Sequence, residues 1–319
     1  TSFKDNLFFR NNGDGTFTDV TEISGTADIQ WSSSAAFFDY DNDGLLDLYV
    51  VHTADWTVDK INPTSKTYVG KGGDGFDGVI QSPPESNILY RNNGNGTFTD
   101  VTRQTGLAGR GWSSDVAVFD FDADGDLDIY VTCMFGRAQL YRNDDGVFTD
   151  VALAVLGRTS WGALGAKVFD ADNNARLDIL TVDMHSDMWM GLDLEHGSLK
   201  MAQSDQRKKF PSIFGPMAQD NPEFVETEKR WFDGLGVNRD DVLFGNSFFK
   251  ALDDGSFEEV SEQVNLETFW PWGIAVGDFN NNGHLDVFLA SGMGFPFYYW
   301  PNHLMLNNGD GTYSDHAKA

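Results

Sequence analysis

In residues 118–131, VFDFDADGDLDIYV, acidic side chains recur at alternate positions. Asp120, Asp122, Asp124 and Asp128 stand at positions 1, 3, 5 and 9 of a short loop, Gly125 at position 6, and apolar runs flank both ends. Alternate residues of a tight turn point inward together, and a glycine lets the backbone reverse. The result is a cluster of hard oxygen donors, the set taken by Ca²⁺, which binds six to eight oxygens at about 2.3–2.6 Å. Asp126 at position 7 would add its backbone carbonyl. A helical calcium loop carries a bidentate Glu at position 12. Here that position is Val131, inside a β-branched and aromatic run, so the loop joins two strands. An acidic turn without an ion is the simpler structure, but four carboxylates within nine residues repel one another unless a cation lies among them.

The pattern occurs four times. FFDYDNDGLLDLYVV carries Asp39, Asp41, Asp43 and Asp47; VFDADNNARLDILTV carries Asp170, Asp172, Asn174 and Asp178; VGDFNNNGHLDVFLA carries Asp278, Asn280, Asn282 and Asp286. The third loop has Ala175 in place of the glycine, and the fourth replaces two carboxylates by amides. Affinity follows the number of charged ligands, so the first two loops should bind tightest and the fourth weakest. The expectation is three to four structural Ca²⁺ ions per chain.

What positions these loops is a second repeated element. It reads LFFRNNGDGTFTDVT at 7–21, ILYRNNGNGTFTDVT at 88–102, QLYRNDDGVFTDV at 139–151, SFFKALDDGSFEEV at 247–260 and HLMLNNGDGTYSDH at 303–316. Asn, Asp and Gly between alternating apolar residues mark tight β-hairpins, and turn chemistry accounts for Asp14 and Asp144 without a metal. Position 1 of successive loops is separated by 81, 50 and 108 residues. A unit of about 50 residues with four strands is the period of a β-propeller blade, and the longer spacings are that unit with insertions. The fold class is therefore all-β, a propeller of four-stranded blades. The 319 residues read as one domain, with repeats at about 7–51, 88–132, 139–182, 242–290 and 302–316 and insertions at 52–86 and 183–241.

Composition narrows the function classes. A formal charge of −27 disfavours nucleic acid and anionic membranes as partners, even after four divalent ions are counted. Cys133 is the only cysteine, which excludes an intrachain disulfide and points to a buried, inert thiol. No apolar run approaches eighteen residues, the length of a membrane-spanning helix. No leader pattern follows Thr1, as expected of a mature secreted chain at the cell surface, outside it or in the periplasm.

The FDxDxDGxLDLYV loops with NNGDGTFTDVT hairpins resemble the FG-GAP/VCBS repeats of integrin-α-type propellers, and most of all the secreted bacterial branch related to cartilage acidic protein and the ASPIC/UnbV proteins. The resemblance covers nearly all of the chain outside the insertions. It implies that the strand leading into each calcium loop is the innermost of its blade, so that residues 31–39, 112–120, 161–170 and 272–278 line a central channel. Four complete blades result, at 31–102, 112–151, 161–260 and 272–315, with 7–21 left as half a blade. Either the chain is part of a longer, seven-bladed propeller or an insertion supplies further strands.

In a four-stranded meander the calcium loops and NNGDG turns emerge on one side and both insertions on the other. The insertion-bearing side, with the strand-opening tryptophans Trp31, Trp112, Trp161 and Trp272, is the expected binding face, because long loops on a rigid scaffold carry recognition. The tryptophans recur with the repeat, so blade packing explains them best. Trp56, Trp189, Trp231, Trp270 and Trp300 could stack on sugars or pack an interface. In the first insertion, Asp74 and Asp77 read as turn residues; the second has helical character at 193–207 and 222–233. Asp183, His185 and Asp187 alternate, so an extended backbone would point all three one way, toward a second metal or a catalytic site; a hydrogen-bonded loop is the plainer account. Three functions follow: a calcium-stabilised adhesion or scaffold module, able to oligomerise and binding another extracellular protein or a surface polysaccharide; a lectin; and an enzyme at Asp183, His185 and Asp187. The first is preferred, since the chain shows no nucleophile elbow, zinc signature or phosphate loop.

Overall fold

The computed structural model describes residues 6–55, 69–70, 73–74, 82–183, 229–230, 232–268, 270–294, 298–299 and 301–317. Alternating apolar runs separated by Asn, Asp and Gly give short antiparallel strands, as the period-2 pattern requires. A hairpin comes first, β1 (Phe9–Asn11) and β2 (Phe17–Asp19). Four four-stranded meanders follow. The first blade is β3 (Ser32–Phe38), β4 (Asp47–His52), β5 (Ile88–Asn92) and β6 (Phe98–Asp100). The second is β7 (Trp112–Phe119), β8 (Asp128–Phe135), β9 (Gln139–Asp144) and β10 (Val147–Asp150). The third is β11 (Ala163–Phe169), β12 (Asp178–Asp183), β13 (Ser247–Ala251) and β14 (Phe257–Glu259). The fourth is β15 (Pro271–Gly277), β16 (Asp286–Ser291), β17 (His303–Asn307) and β18 (Tyr313–Asp315). Each meander is a separate sheet in chain order. The strand before each acidic loop is an edge strand, and β3 lies against β7 as β11 lies against β15. This is the all-β architecture of propeller blades.

The chain, read from sequence as one domain, divides into two compact units, Thr1–Val131 with Gln139–Asp150, and Thr132–Ala138 with Val151–Ala319. In the first, Phe38, Tyr40, Tyr49 and Val51 of one blade meet Ile129, Val131, Tyr141 and Phe148 of the next. In the second, Phe169, Leu180, Val182 and Phe248 meet Val287, Leu289, Met305 and Tyr313. Each fully buried aliphatic or aromatic side chain stabilises by about 1.5–3 kcal/mol, so these inter-blade layers are the cores. Cys133 is buried.

The DVT ending of the repeat has a structural role that local pattern does not reveal. Asp100 Oδ1 accepts both the N–H and the hydroxyl of Thr102, whose Oγ1 in turn accepts the N–H of Leu89; Asp19, Thr21 and Phe8 repeat the arrangement in the half blade. In the GDGT turn, Asp14 accepts the N–H and hydroxyl of Thr16, which holds its carboxyl below the usual range. The turn is thereby satisfied without a metal.

The strand-opening tryptophans need one correction. Trp112 and Trp161 are buried and Trp31 is half-buried, but Trp272 is 51% exposed. Trp31, Trp112 and Trp270 each stand eight residues before position 1 of their loop, so Trp270, not Trp272, is the fourth blade's counterpart. Its carbonyl accepts Gly292 N–H as that of Trp31 accepts Thr53 N–H. Trp270 is 3% exposed, which removes it from an open binding face, and a bulge between Pro271 and Gly273 leaves Trp272 outside the core.

Candidate metal centres

Every loop is built on the same backbone. Position 4 is left-handed in all four (Asn42, Ala123, Asn173 and Asn281, φ 54–60°), and so is position 6 (Gly44, Gly125, Ala175 and Gly283). Two left-handed residues around position 5 curl the chain so that side chains at 1, 3 and 5 converge. The carboxylate of position 1 completes the curl from inside, accepting the N–H of position 6: Asp39 from Gly44 at 2.8 Å, Asp120 from Gly125 at 3.0 Å, Asp170 from Ala175 at 2.8 Å and Asp278 from Gly283 at 2.8 Å. Position 5 accepts the N–H two residues on, in Asp43, Asp124, Asn174 and Asn282 alike. The sequence marks position 6 by glycine in three loops and position 4, less strongly, by Asn in three loops, each with one alanine exception.

An L-residue such as Ala175 pays about 1–2 kcal/mol for the left-handed conformation that its three counterparts reach as glycine. Ala175→Gly is therefore expected to stabilise the chain by about 0.5–1 kcal/mol after the greater entropy of an unfolded glycine is offset. A urea titration checks this; an unchanged or lower midpoint would mean that Ala175 is not strained.

The structure brings positions 1, 3 and 5 together and places position 9 differently. Ligand oxygens of Asp39, Asp41 and Asp43 lie within 4.8 Å of one another, as do those of Asp120, Asp122 and Asp124. Asp47, Asp128, Asp178 and Asp286, predicted as further ligands, are fully buried, and each carboxylate clamps two backbone amides. One oxygen accepts the N–H of position 2 in its own loop (Tyr40, Phe121, Ala171, Phe279; 2.8–3.1 Å). The other accepts an N–H of the third strand (Asn92, Asn143, Ala251, Asn307; 2.7–2.9 Å). Burial, reinforced by the neighbouring Asp122 and Asp124 charges, pushes the Asp128 carboxyl up to about 7 against the pull of these donors. Burial pushes Asp178 to about 6 and raises Asp47 as well.

Residues from the third strand complete the loop surroundings. Buried Asn143 donates from Nδ2 to Tyr40 O of the neighbouring blade and to Leu127 O of its own; Asn307 does the same to Ala171 O and Leu285 O. Arg91 Nε lies 3.0 Å from Asp41, and Lys250 Nζ 2.7 Å from Asp172. Arg142 holds the same register in the second blade, where it pairs with Asp144 and feels the Asp122 and Asp124 charges. The fourth blade, with amides in its loop, has Leu306 at this register. Loops of adjacent blades also touch: Asn42 Nδ2 donates to Asp126 at 2.7 Å, and Asn173 Nδ2 to Gly283 O at 3.1 Å.

Three carboxylate oxygens in three different loops, Asp41 Oδ1, Asp120 Oδ1 and Asp172 Oδ1, are sealed from solvent without a hydrogen-bond partner among the described residues. A buried carboxylate oxygen left unpaired is costly, and a cation at positions 1, 3 and 5 would satisfy it. The donor chemistry, oxygen only and charge-rich, fits Ca²⁺.

On the opposite ends of the strands, Asp183 is fully buried, and its Oδ2 accepts Gly162 N–H at 3.3 Å and Gly245 N–H at 3.1 Å. It braces the third blade's interior. Asp183 N–H donates to Asn246 Oδ1, as His52 N–H does to Asn87 and Ser291 N–H to Asn302, an Asn just before the third strand in three of the four blades that sequence reading passed over. Trp56, Asp77, His185, Asp187, Trp189, Trp231, Trp300 and residues 193–207, for which helix was expected from sequence, lie outside the described residues, and Asp74 is described in backbone only. Residues 229–230 and 232–235 are helical, and Phe232 stacks on Trp161 with ring centroids 4.4 Å apart.

Four-stranded meanders, each with an acidic loop between its first two strands, define an acidic-loop type of repeat propeller. The chain belongs to the FG-GAP-like repeat family, whose model matches residues 1–50, 73–131, 120–181 and 236–289. No curated protein matches it. A solved structure of an Agrocybe aegerita lectin, described as specifically recognising non-reducing terminal N-acetylglucosamine, aligns over 98% of this chain at 15% identity and a TM-score of 0.42. The chain spans 60% of that structure's length.

Proposed function

We propose that the chain is a calcium-stabilised, non-enzymatic binding module working outside the cytoplasm, which holds a partner protein or surface polysaccharide on the face opposite its acidic loops. The observation that carries the calcium half is the trio of sealed, unpaired oxygens at Asp41, Asp120 and Asp172. Asp39, Asp41 and Asp43 would hold one ion, Asp120, Asp122 and Asp124 a second, and Asp170, Asp172 and Asn174 a third; Asp278, Asn280 and Asn282 form the weakest site. Bound there, Ca²⁺ supplies positive charge that ties the first two strands of a blade together. The binding half rests on the other strand ends, where the second insertion is anchored by Phe232 on Trp161 and Trp272 stands 51% exposed.

The test is retention of the calcium-loaded chain on an array of immobilised polysaccharides and surface proteins. Trp272→Ala is expected to weaken retention about ten-fold or more, the usual cost of truncating an aromatic anchor, without moving the melting temperature. Retention indifferent to Trp272→Ala and to deletion of residues 184–228 would overturn the assignment of the face.

A further inference from the structure

In an Asn–Gly pair the asparagine side chain meets the next backbone nitrogen with little hindrance, because glycine puts no Cβ beside it. The chain has five such pairs, Asn12–Gly13, Asn93–Gly94, Asn95–Gly96, Asn282–Gly283 and Asn308–Gly309. All five asparagines are exposed, so exposure does not separate them. Their hydrogen bonds do.

In four pairs the glycine N–H is engaged. Gly13, Gly94 and Gly309 donate to Oδ1 of Asn11, Asn92 and Asn307 at 2.8–3.0 Å, and Gly283 donates to Asp278 Oδ2 at 2.8 Å. The side-chain amide is engaged as well: Asn12, Asn93 and Asn308 donate from Nδ2 to the hydroxyls of Thr16, Thr97 and Thr312, and Asn282 to Asn307 O. The fifth pair is built the other way. Gly96 N–H and Asn95 Nδ2 have no hydrogen-bond partner among the described residues, while Asn95 Oδ1 accepts the N–H of Thr97 at 3.0 Å and its hydroxyl at 2.6 Å. Asn93 Nδ2 donates to that hydroxyl at 2.9 Å, which leaves the hydroxyl proton for Asn95.

A free nucleophile, a free leaving group and two donors on the carbonyl oxygen are what acyl transfer at Asn95 Cγ requires. In the matching turns the slot of Asn95 holds aspartate: Asp14 and Asp310 each accept the N–H and hydroxyl of the threonine two residues on. Asparagine as a neutral acceptor would satisfy the turn equally, so the chemistry of its spare amide is what distinguishes this position.

We propose that Asn95 is a self-modification site, converted to aspartate through a succinimide closed by Gly96. Hydroxide takes the Gly96 N–H proton and the nitrogen attacks Asn95 Cγ. The negative charge that builds on Oδ1 is held by the N–H and hydroxyl of Thr97. The new N–Cγ bond replaces the Cγ–Nδ2 bond, and ammonia leaves with a proton from water. Water then opens the ring, at Cγ to give aspartate or at the main-chain carbonyl to give isoaspartate. The aspartate product turns NNGNGT at 92–97 into NNGDGT, the sequence at 11–16 and 307–312, where the turn already holds a carboxylate. The reaction is independent of the ion in the acidic loops and of what the opposite face binds.

The full chain, kept in mildly alkaline calcium buffer and then digested, is followed by mass spectrometry at each of the five asparagines. Asn95 is expected to convert about ten-fold or more faster than the other four, and in urea the five rates should converge. Thr97→Val removes one of the two donors and should slow Asn95 about ten-fold, part of the 10²–10³ lost with an enzyme's oxyanion donor, whereas Thr97→Ser should keep the rate. Equal rates at the five sites in the folded chain overturn the proposal. So does an Asn95 lead that persists in urea, which would place it in local sequence. Unchanged or faster conversion in Thr97→Val overturns it too, since the turn would then protect Asn95.

Discussion

Removal of divalent ions is expected to lower the melting temperature by about 10–20 °C, and calcium alone to restore it. A ligand at one hundred times its dissociation constant stabilises the folded state by about 2.7 kcal/mol. With extracellular-type affinity near 10⁻⁴ M, about 10 mM calcium reaches that ratio. The two carboxylate triads together then contribute about 5 kcal/mol, and each kcal/mol moves the melting point of a domain of this size class by about 2–4 °C. Calorimetry with EDTA, then with calcium or magnesium, reads it directly. A melting point indifferent to EDTA would remove the ion from the account of these loops. The chelated protein should also show a characteristic pH dependence. Without the ion, Asp128 titrates near 7 and Asp178 near 6, both above the ordinary aspartate value. The folded state then binds more protons than the unfolded chain between about pH 4 and 7, so stability falls as pH rises through that window. Calcium, by favouring the ionised loops, should abolish or reverse that slope.

Much of this was visible in the sequence, for a physical reason. Alternation in a strand and convergence in a loop are local, so the residues at positions 1, 3 and 5 and the glycine at position 6 announce the curl by type and spacing alone. Position 9 is different. Asp47 reads as one more ligand, and what the sequence does not show is that its carboxylate also accepts the N–H of Asn92, which is distant in sequence and reaches it only once β4 and β5 have paired. The same long-range pairing gives Asn143 and Asn307 their hold on the neighbouring blade. The tryptophan misassignment had a different origin. Trp270 and Trp272 are equally plausible strand openers by type, and the bulge between Pro271 and Gly273 that separates their fates is a backbone event with no residue signature. Arg10, lastly, is legible as part of a recurrent RN pair, but that it has no ion pair among the described residues gains meaning only when Arg91 and Lys250 show loop carboxylates as the partners at this register.

Substitution of Asp128 should separate a backbone clamp from a metal ligand. Asp128→Ala leaves the buried N–H groups of Phe121 and Asn143 without acceptors, at about 1–3 kcal/mol each, or roughly 2–6 kcal/mol in all. Asp128→Asn keeps one acceptor and should lose about half as much. Both losses are expected in EDTA as well as in calcium, because the donors belong to the fold. Asp122→Asn touches no such clamp; its side chain is exposed at position 3, so it should lower stability in calcium and, by relieving repulsion with Asp120 and Asp124, leave the chelated protein as stable or slightly more so. Melting curves for the three variants in both buffers give the contrast. If Asp128→Ala matches wild type once EDTA is present, the position-9 carboxylate acts through the ion and the backbone clamp contributes little. If it is destabilised equally in both buffers, the loops were organised for calcium by a residue that does not need it: the clamp sets the spacing of positions 1, 3 and 5, and the ion neutralises the charge that this spacing concentrates.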